Sequence, residues 1–345
     1  MASSDHHDKP YDEGTRKKLE IYTAFLRAWI QVFLHTDKFP GPLRFFDFFS
    51  GPGQDMHGVP GSPMILMTEL ARNKGLIASS KRGVEILFND FKRRKAEALG
   101  ELFAARGYPF VPRIESEDFL DSFKAHHDEI GRSPSFVLLD QCGVKFVTKE
   151  IFQFLTTRRQ TDILFFFASS TQRRFSNEFA NELHIPTDTP YWEVHRRVAD
   201  CYRSWAPRGY FVGQYSIMKG SNIYGLVFGS GHALGMYKFL ETDSGEEANY
   251  EIEAPVLQQD FLVPMRLTKR EQLAQELDDL IRKRALTTDG EVALYCLTQG
   301  VLPTKVAPAV YKRLRAEGVL SHSREQQPRS SYDAVKSPRP LIFGY

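Results

Sequence analysis

The stretch FFDFFSGPGQDMHGVPGSP, residues 45–63, carries one acid, Asp47, inside an aromatic run. It then passes through Ser50 into Gly51 and Gly53, and closes on Gly61 before Ser62-Pro63. An apolar run bounded by glycines reads as a buried strand, and the segment from residue 62 to 73 as the helix that follows it. The same alternation continues along the chain. Apolar runs at 83–90, 108–114, 135–140 and 162–168 are each followed by helix-like segments, around 91–105, 119–130, 147–156 and 172–181. Strands that are continuously apolar and alternate with helices belong to a parallel sheet covered on both faces. The runs YFVGQYSIM and NIYGLVFG are separated only by KGS, which is too short for a crossover, so they read as an antiparallel hairpin closing the sheet. The fold class expected is therefore α/β, a doubly wound Rossmann-like sheet of seven strands with the last one antiparallel.

Composition fits this. The chain has 345 residues, of which 42% are hydrophobic, enough for a sizeable core. No stretch approaches the ~20 apolar residues of a membrane span, and the N-terminus lacks a signal-peptide core, so no membrane association and a cytoplasmic location are expected. Cys142, Cys201 and Cys296 lie far apart with no CxxC pairing, which argues against a disulfide framework or a zinc ribbon. His57, His126-His127 and His6-His7 have no partners at ligand spacing, so no metal site is expected.

In doubly wound sheets ligands sit beyond the carboxyl ends of the strands, where a glycine turn lets backbone approach them. Gly51 and Gly53 supply that turn after the first strand. The sequence GPGQDM lacks the third glycine of a dinucleotide fingerprint and the Lys-Ser/Thr of a phosphate loop, so a nucleotide-like ligand without a pyrophosphate fits better. Asp90, ending the second strand, can accept from ribose hydroxyls, and Asp118-Phe119, after the third, can meet an adenine amine.

These residues resemble the S-adenosylmethionine site of a class I methyltransferase. More narrowly, the chain resembles the three-Cys-motif partner family, TcmP. The likeness rests on KKLEIYTAFLRAWI, DFFSGPGQ with GSPMILM, NDFKRRKAEAL, VLLDQCGVKFVTKEIFQFL, TDILFFFASSTQRRF and YGLVFGSGHALGMYKFLE, in that order, followed by a small C-terminal module. The resemblance implies a seven-stranded methyltransferase sheet and S-adenosylmethionine as cofactor, held by Asp47, Phe48, Ser50, Gly51, Gly53, Asp90, Phe91, Asp118 and Phe119. It also implies a three-Cys-motif, radical-enzyme-like protein as partner. One departure stands out. Where the family places Asp-Pro-aromatic-Gly after the fourth strand, this chain has Asp140-Gln141-Cys142-Gly143. Asp140 remains the acceptor-side acid, with Gln141 beside it, while Cys142 is either a nucleophile of the kind used in cytosine carbon-5 methylation or a small packing residue. Arg173 and Arg174, past the fifth strand, are placed to hold a phosphate or an acidic substrate.

The expected organisation is an N-terminal helical extension over 1–40, a Rossmann-like domain over 41–255 and a winged-helix-like module over 266–345. The last holds 14 Lys/Arg against 9 Asp/Glu. Its recognition helix would carry Lys305, Lys312, Arg313 and Arg315 toward a nucleic-acid backbone. Two functions stay open at this level. One is a methyltransferase acting on a nucleic-acid base or nucleotide together with a partner protein; the other is a catalytically silent adaptor of the same fold that binds a partner enzyme or nucleic acid.

Overall fold

A computed structural model describes residues 10–140, 146–158, 160–168, 183, 194–219, 222–242, 268–321 and 327–344. Gln141, Cys142, Arg173 and Arg174 lie outside them, as do the expected helix at 172–181 and the expected boundary near 255.

The strands are β1 (Leu43–Asp47), β2 (Val84–Asn89), β3 (Arg113–Glu115), β4 (Ser135–Leu139), β5 (Thr161–Ala168), β6 (Phe211–Lys219) and β7 (Asn222–Ser230). They form one sheet of order β3-β2-β1-β4-β5-β7-β6. β1 is central and parallel to both neighbours, with Phe45 opposite Ile86 on one side and Phe136 on the other. β7 runs antiparallel to β5 and to β6. This is the Rossmann-like seven-stranded sheet, with its antiparallel strand, that the alternation predicts. The third strand is shorter than the expected 108–114, because Pro109 and Pro112 each remove a ladder donor and leave only Arg113–Glu115 to pair.

Side chains alternate across the sheet, and two cores result. Leu43, Phe45, Phe136, Leu138 and Leu164 face one side, where α1 (Glu13–Leu34) contributes Tyr22, Phe25, Leu26, Trp29 and Ile30. Phe46, Phe48, Val137, Leu139 and Phe165 face the other, against α5 (Phe119–His126), α6 (Lys149–Thr156) and α7 (Val194–Trp205). α1 starts at Asp12, whose carboxylate accepts the Thr15 N–H at 2.9 Å. It is tied down by polar contacts as well. The Trp29 indole donates to Asp162 Oδ2 at 2.7 Å, and Arg27 grips Glu69 of α2 (Ser62–Arg72) through two bonds of 2.9 Å. The elements between these are α3 (Lys74–Ser79) and α4 (Arg93–Arg106), and α8 (Ala233–Leu240) follows β7.

The C-terminal part holds α9 (Lys269–Arg282), α10 (Asp289–Thr298), α11 (Pro303–Ala316) and the short α12 (Tyr332–Lys336). α9 and α10 each begin with a capping box, Thr268 with Glu271 and Thr288 with Glu291. Leu277, Ile281, Val292, Val306, Val310 and Leu314 form their shared core. Residues 340–343 pair on both sides, Pro340 with Thr288 and Phe343 with Leu320. The unit rests on the sheet edge: Leu297 enters the core under α1, and a Cβ on Gly300 would come within 3.2 Å of the Gly213 Cα.

Candidate functional site

The site begins where β1 ends. Asp47 is 3% exposed; its Oδ2 accepts from Ser62 Oγ at 2.7 Å and its Oδ1 from the Phe49 N–H at 3.2 Å. Burial holds its carboxyl up at about 7, and the nearby carboxylates of Asp140 and Asp90 add to the rise, against the lowering effect of the two hydrogen bonds. No cation pairs with Asp47 among the described residues. The chain then turns at Gly51 (φ 62°) and Gly53 (φ 88°). Gly53 is fixed twice over, since a Cβ there would sit 2.6 Å from Leu99 Cδ1 as well as in the left-handed region.

Asp90 closes the turn from β2. Its Oδ2 accepts the Gly51 N–H at 3.0 Å and its Oδ1 the Lys92 N–H at 2.9 Å. Ser50 donates to the Asn89 carbonyl, and the Asn89 amide joins the backbone of Glu117 in both directions, at 3.0 and 3.1 Å. Asn89 therefore links the rim of β2 to the loop before α5. Sequence reasoning missed it, although its position directly before Asp90 at a buried strand end was a usable signal. Asp118 caps α5 by accepting the Leu120 N–H at 2.9 Å. Phe48 and Phe119 are buried in the core, packed edge to face at 5.6 Å, while Phe91 is 72% exposed on the rim.

Asp140 stands beyond β4, on the α1 face by the same alternation that places Phe136 and Leu138 there. Lys18 of α1 forms an ion pair with it, and the Lys18 ammonium also lies 4.7 Å from the centre of the Phe166 ring. Tyr22, Ser62 and Leu226 complete a small recess around the pair. Tyr11 lies across the glycine turn. Its N–H reaches Asp55 Oδ2 at 2.8 Å, and a Cβ on Gly61 would sit 2.9 Å from its hydroxyl. Burial, followed by the Asp140, Asp55 and Asp47 charges, raises the Tyr11 phenol pKa, so it stays protonated. Lys18 and Tyr11 were not anticipated. The signal was a lysine one turn before Tyr22, on the apolar stripe of an amphipathic helix.

In the C-terminal unit, Lys305 and Lys312 lie exposed on α11, seven residues apart and so on one face. Arg313, half exposed, is paired to Asp278 at 2.9 and 2.7 Å, and Arg315 donates to the Tyr311 carbonyl at 3.2 Å. Two of the four cations are thus engaged within the unit, Arg313 by an ion pair and Arg315 by a backbone carbonyl.

Among the described residues no group of three His, Cys, Asp or Glu side chains is arranged to hold a metal ion, and no helix is long and apolar enough to cross a membrane. No family model matches the chain, and no curated protein matches it. Among solved structures it is similar to an SAM-dependent methyltransferase from Agrobacterium tumefaciens, at 10% identity and a TM-score of 0.36, over 62% of this chain and 61% of that one. The chain thus spans about three fifths of that relative. It is also similar to the O-methyltransferase TomG from Streptomyces achromogenes, in complex with SAM, at 12% identity, TM-score 0.36, and 62% and 78% coverage. A third likeness is to the methyltransferase domain of METTL16, at 10% identity, TM-score 0.33, and 62% and 83% coverage.

Proposed function

We propose that this chain is an S-adenosylmethionine-dependent methyltransferase acting on nucleic acid. The observation that carries the reading is Asp47, a buried carboxylate with no cation paired to it among the described residues, beside a left-handed glycine turn and two further acids, Asp90 and Asp140. Such a site favours a ligand that brings positive charge and tolerates close backbone approach. S-adenosylmethionine does both, through its sulfonium and its ammonium, and when bound it supplies the transferable methyl group.

The residues present fit that ligand. The turn at Gly51 and Gly53, both at positive φ, presents backbone rather than side chains beyond β1, Asp90 has acceptor capacity left for ribose hydroxyls, Asp118 sits at the start of α5 for the adenine edge, and the exposed Phe91 ring can pack on the nucleoside. Lys305 and Lys312 on α11 support a nucleic-acid substrate, and the bridges of Thr288 with Pro340 and of Leu320 with Phe343, beside α9, α10 and α11, support the reading of this unit as winged-helix-like. By its resemblance to the three-Cys-motif partner family, the proposal includes a three-Cys-motif protein as partner; it also includes a cytoplasmic location. Calorimetry with S-adenosylmethionine and S-adenosylhomocysteine tests the reading: the folded wild type is expected to bind both, and Asp90→Ala to bind at least about tenfold more weakly, since a lost hydrogen bond to a charged group costs about 1.5–3 kcal/mol. A folded protein that binds neither overturns it.

A further inference from the structure

We infer that Lys18 and Asp140 select an oxygen acceptor, which on a nucleic-acid strand means the ribose 2′-hydroxyl of RNA. This rests on the methyltransferase reading above and deepens it. The observation is the pairing of a cation with the acceptor-side acid. Lys18, on the helix that covers the sheet, is ion-paired to Asp140 beyond β4, the two side chains are 13% and 24% exposed, and the ammonium is held over Phe166 at 4.7 Å.

An exocyclic base amine needs the opposite surroundings. Its two N–H groups call for acceptors, and its lone pair must stay open toward the methyl carbon, so an ammonium facing it donates where nothing should. A hydroxyl uses both members of the pair. The ammonium stabilises the negative charge that builds on oxygen, and the carboxylate takes the proton. In that step the acceptor oxygen forms the new bond to the methyl carbon, and the electron pair of the breaking carbon–sulfur bond stays on sulfur. The hydroxyl proton goes to Asp140 and from there to solvent. Within an unmodified nucleic-acid strand, the only hydroxyl away from the ends is the 2′-hydroxyl of ribose, which fixes the class of substrate as RNA.

Two readouts test this on the full chain. The first needs no turnover. With S-adenosylhomocysteine bound, random-sequence 20-nucleotide RNA is compared by fluorescence anisotropy with its fully 2′-O-methylated counterpart. Wild type is expected to prefer the free hydroxyl by about tenfold, the value of one hydrogen bond to a charged group, and Lys18→Met to lose that preference while still being saturated by S-adenosylhomocysteine. The second follows labelled methyl from S-adenosylmethionine into the same RNA and into DNA, with digestion to nucleosides. Methyl is expected on ribose oxygen in RNA alone, falling about 100-fold in Lys18→Met and partly restored in Lys18→Arg. Methyl on a base, transfer to DNA, or transfer that Lys18→Met leaves unchanged overturns the inference while the methyltransferase reading stands. A folded protein that transfers no methyl to either strand overturns both.

Discussion

The Asp90 carboxylate accepts the Gly51 N–H at 3.0 Å, so the acid that ends β2 and the glycine turn that follows β1 form one unit. Asp90 thus holds the turn in shape, and in the proposed function it also offers acceptor capacity to the ligand. Asp90→Ala is therefore expected to lower the melting temperature as well as weaken cofactor binding. Asp90→Asn, which keeps one acceptor oxygen, should recover most of the stability and part of the binding. Thermal denaturation and calorimetry on the same three proteins separate the two tasks, and equal losses in both variants would show that the carboxylate charge alone matters.

Gly53 and Gly107 both have positive φ, 88° and 61°. A Cβ at Gly107 meets nothing within 4 Å, whereas one at Gly53 meets Leu99 Cδ1 at 2.6 Å and Leu102 Cδ2 at 3.1 Å. Gly107→Ala should cost only the conformational strain, about 1 kcal/mol. Gly53→Ala should cost that strain plus the displacement of Leu99, about 2–4 kcal/mol in all. Urea denaturation checks the order of the two.

Asp162, buried at the start of β5, has its carboxyl pushed up to about 6 by desolvation, opposed by hydrogen bonds from Ser230 and Trp29. An acid whose folded pKa lies above its unfolded value leaves the folded state holding more protons. Its contribution to stability is thus greatest below the ordinary carboxylate range and declines as pH rises through about 6. Trp29→Phe removes the 2.7 Å indole bond to the ionised form. The variant should therefore lose more stability relative to wild type at pH 8 than at pH 4, and a loss independent of pH would assign Trp29 a packing role alone.

On α11 the cations divide. Lys305 and Lys312 are exposed on one face, while Arg313 is paired to Asp278 of α9. Lys305→Gln with Lys312→Gln should reduce the salt dependence of RNA binding by a slope of about 2. Arg313→Gln should leave that slope nearly unchanged and lower stability by less than about 1 kcal/mol, because its guanidinium is half exposed and Arg282 also bonds Asp278. Salt-titrated mobility shifts distinguish the two sets.

What the sequence made legible was local. The apolar run around Asp47, the glycines after it and Asp90 at the next strand end are short-range patterns whose physics, burial of a strand and close backbone approach, acts within a few residues. β3 was overestimated because two prolines inside an apolar run outweighed its hydrophobicity. The contacts of α1 were illegible. Lys18 meets Asp140 across 122 positions and Trp29 meets Asp162 across 133, and only the sheet order brings them together. The pairing of Arg313 was illegible for the same reason, since Asp278 lies on α9, 35 positions away.

The central claim is that the buried Asp47 awaits a cationic ligand, and its most direct test is S-adenosylmethionine affinity as a function of pH. Burial, reinforced by the Asp140 and Asp90 charges, holds the Asp47 carboxyl up at about 7 in the free protein. The ionised form that attracts a cation is therefore scarce at pH 6 and predominant at pH 7.5. Calorimetry on wild type should show affinity rising about eightfold between those two values, and on Asp47→Asn a weaker affinity that does not change. Wild-type affinity that is flat over this interval, or a rise that persists in Asp47→Asn, would contradict the account.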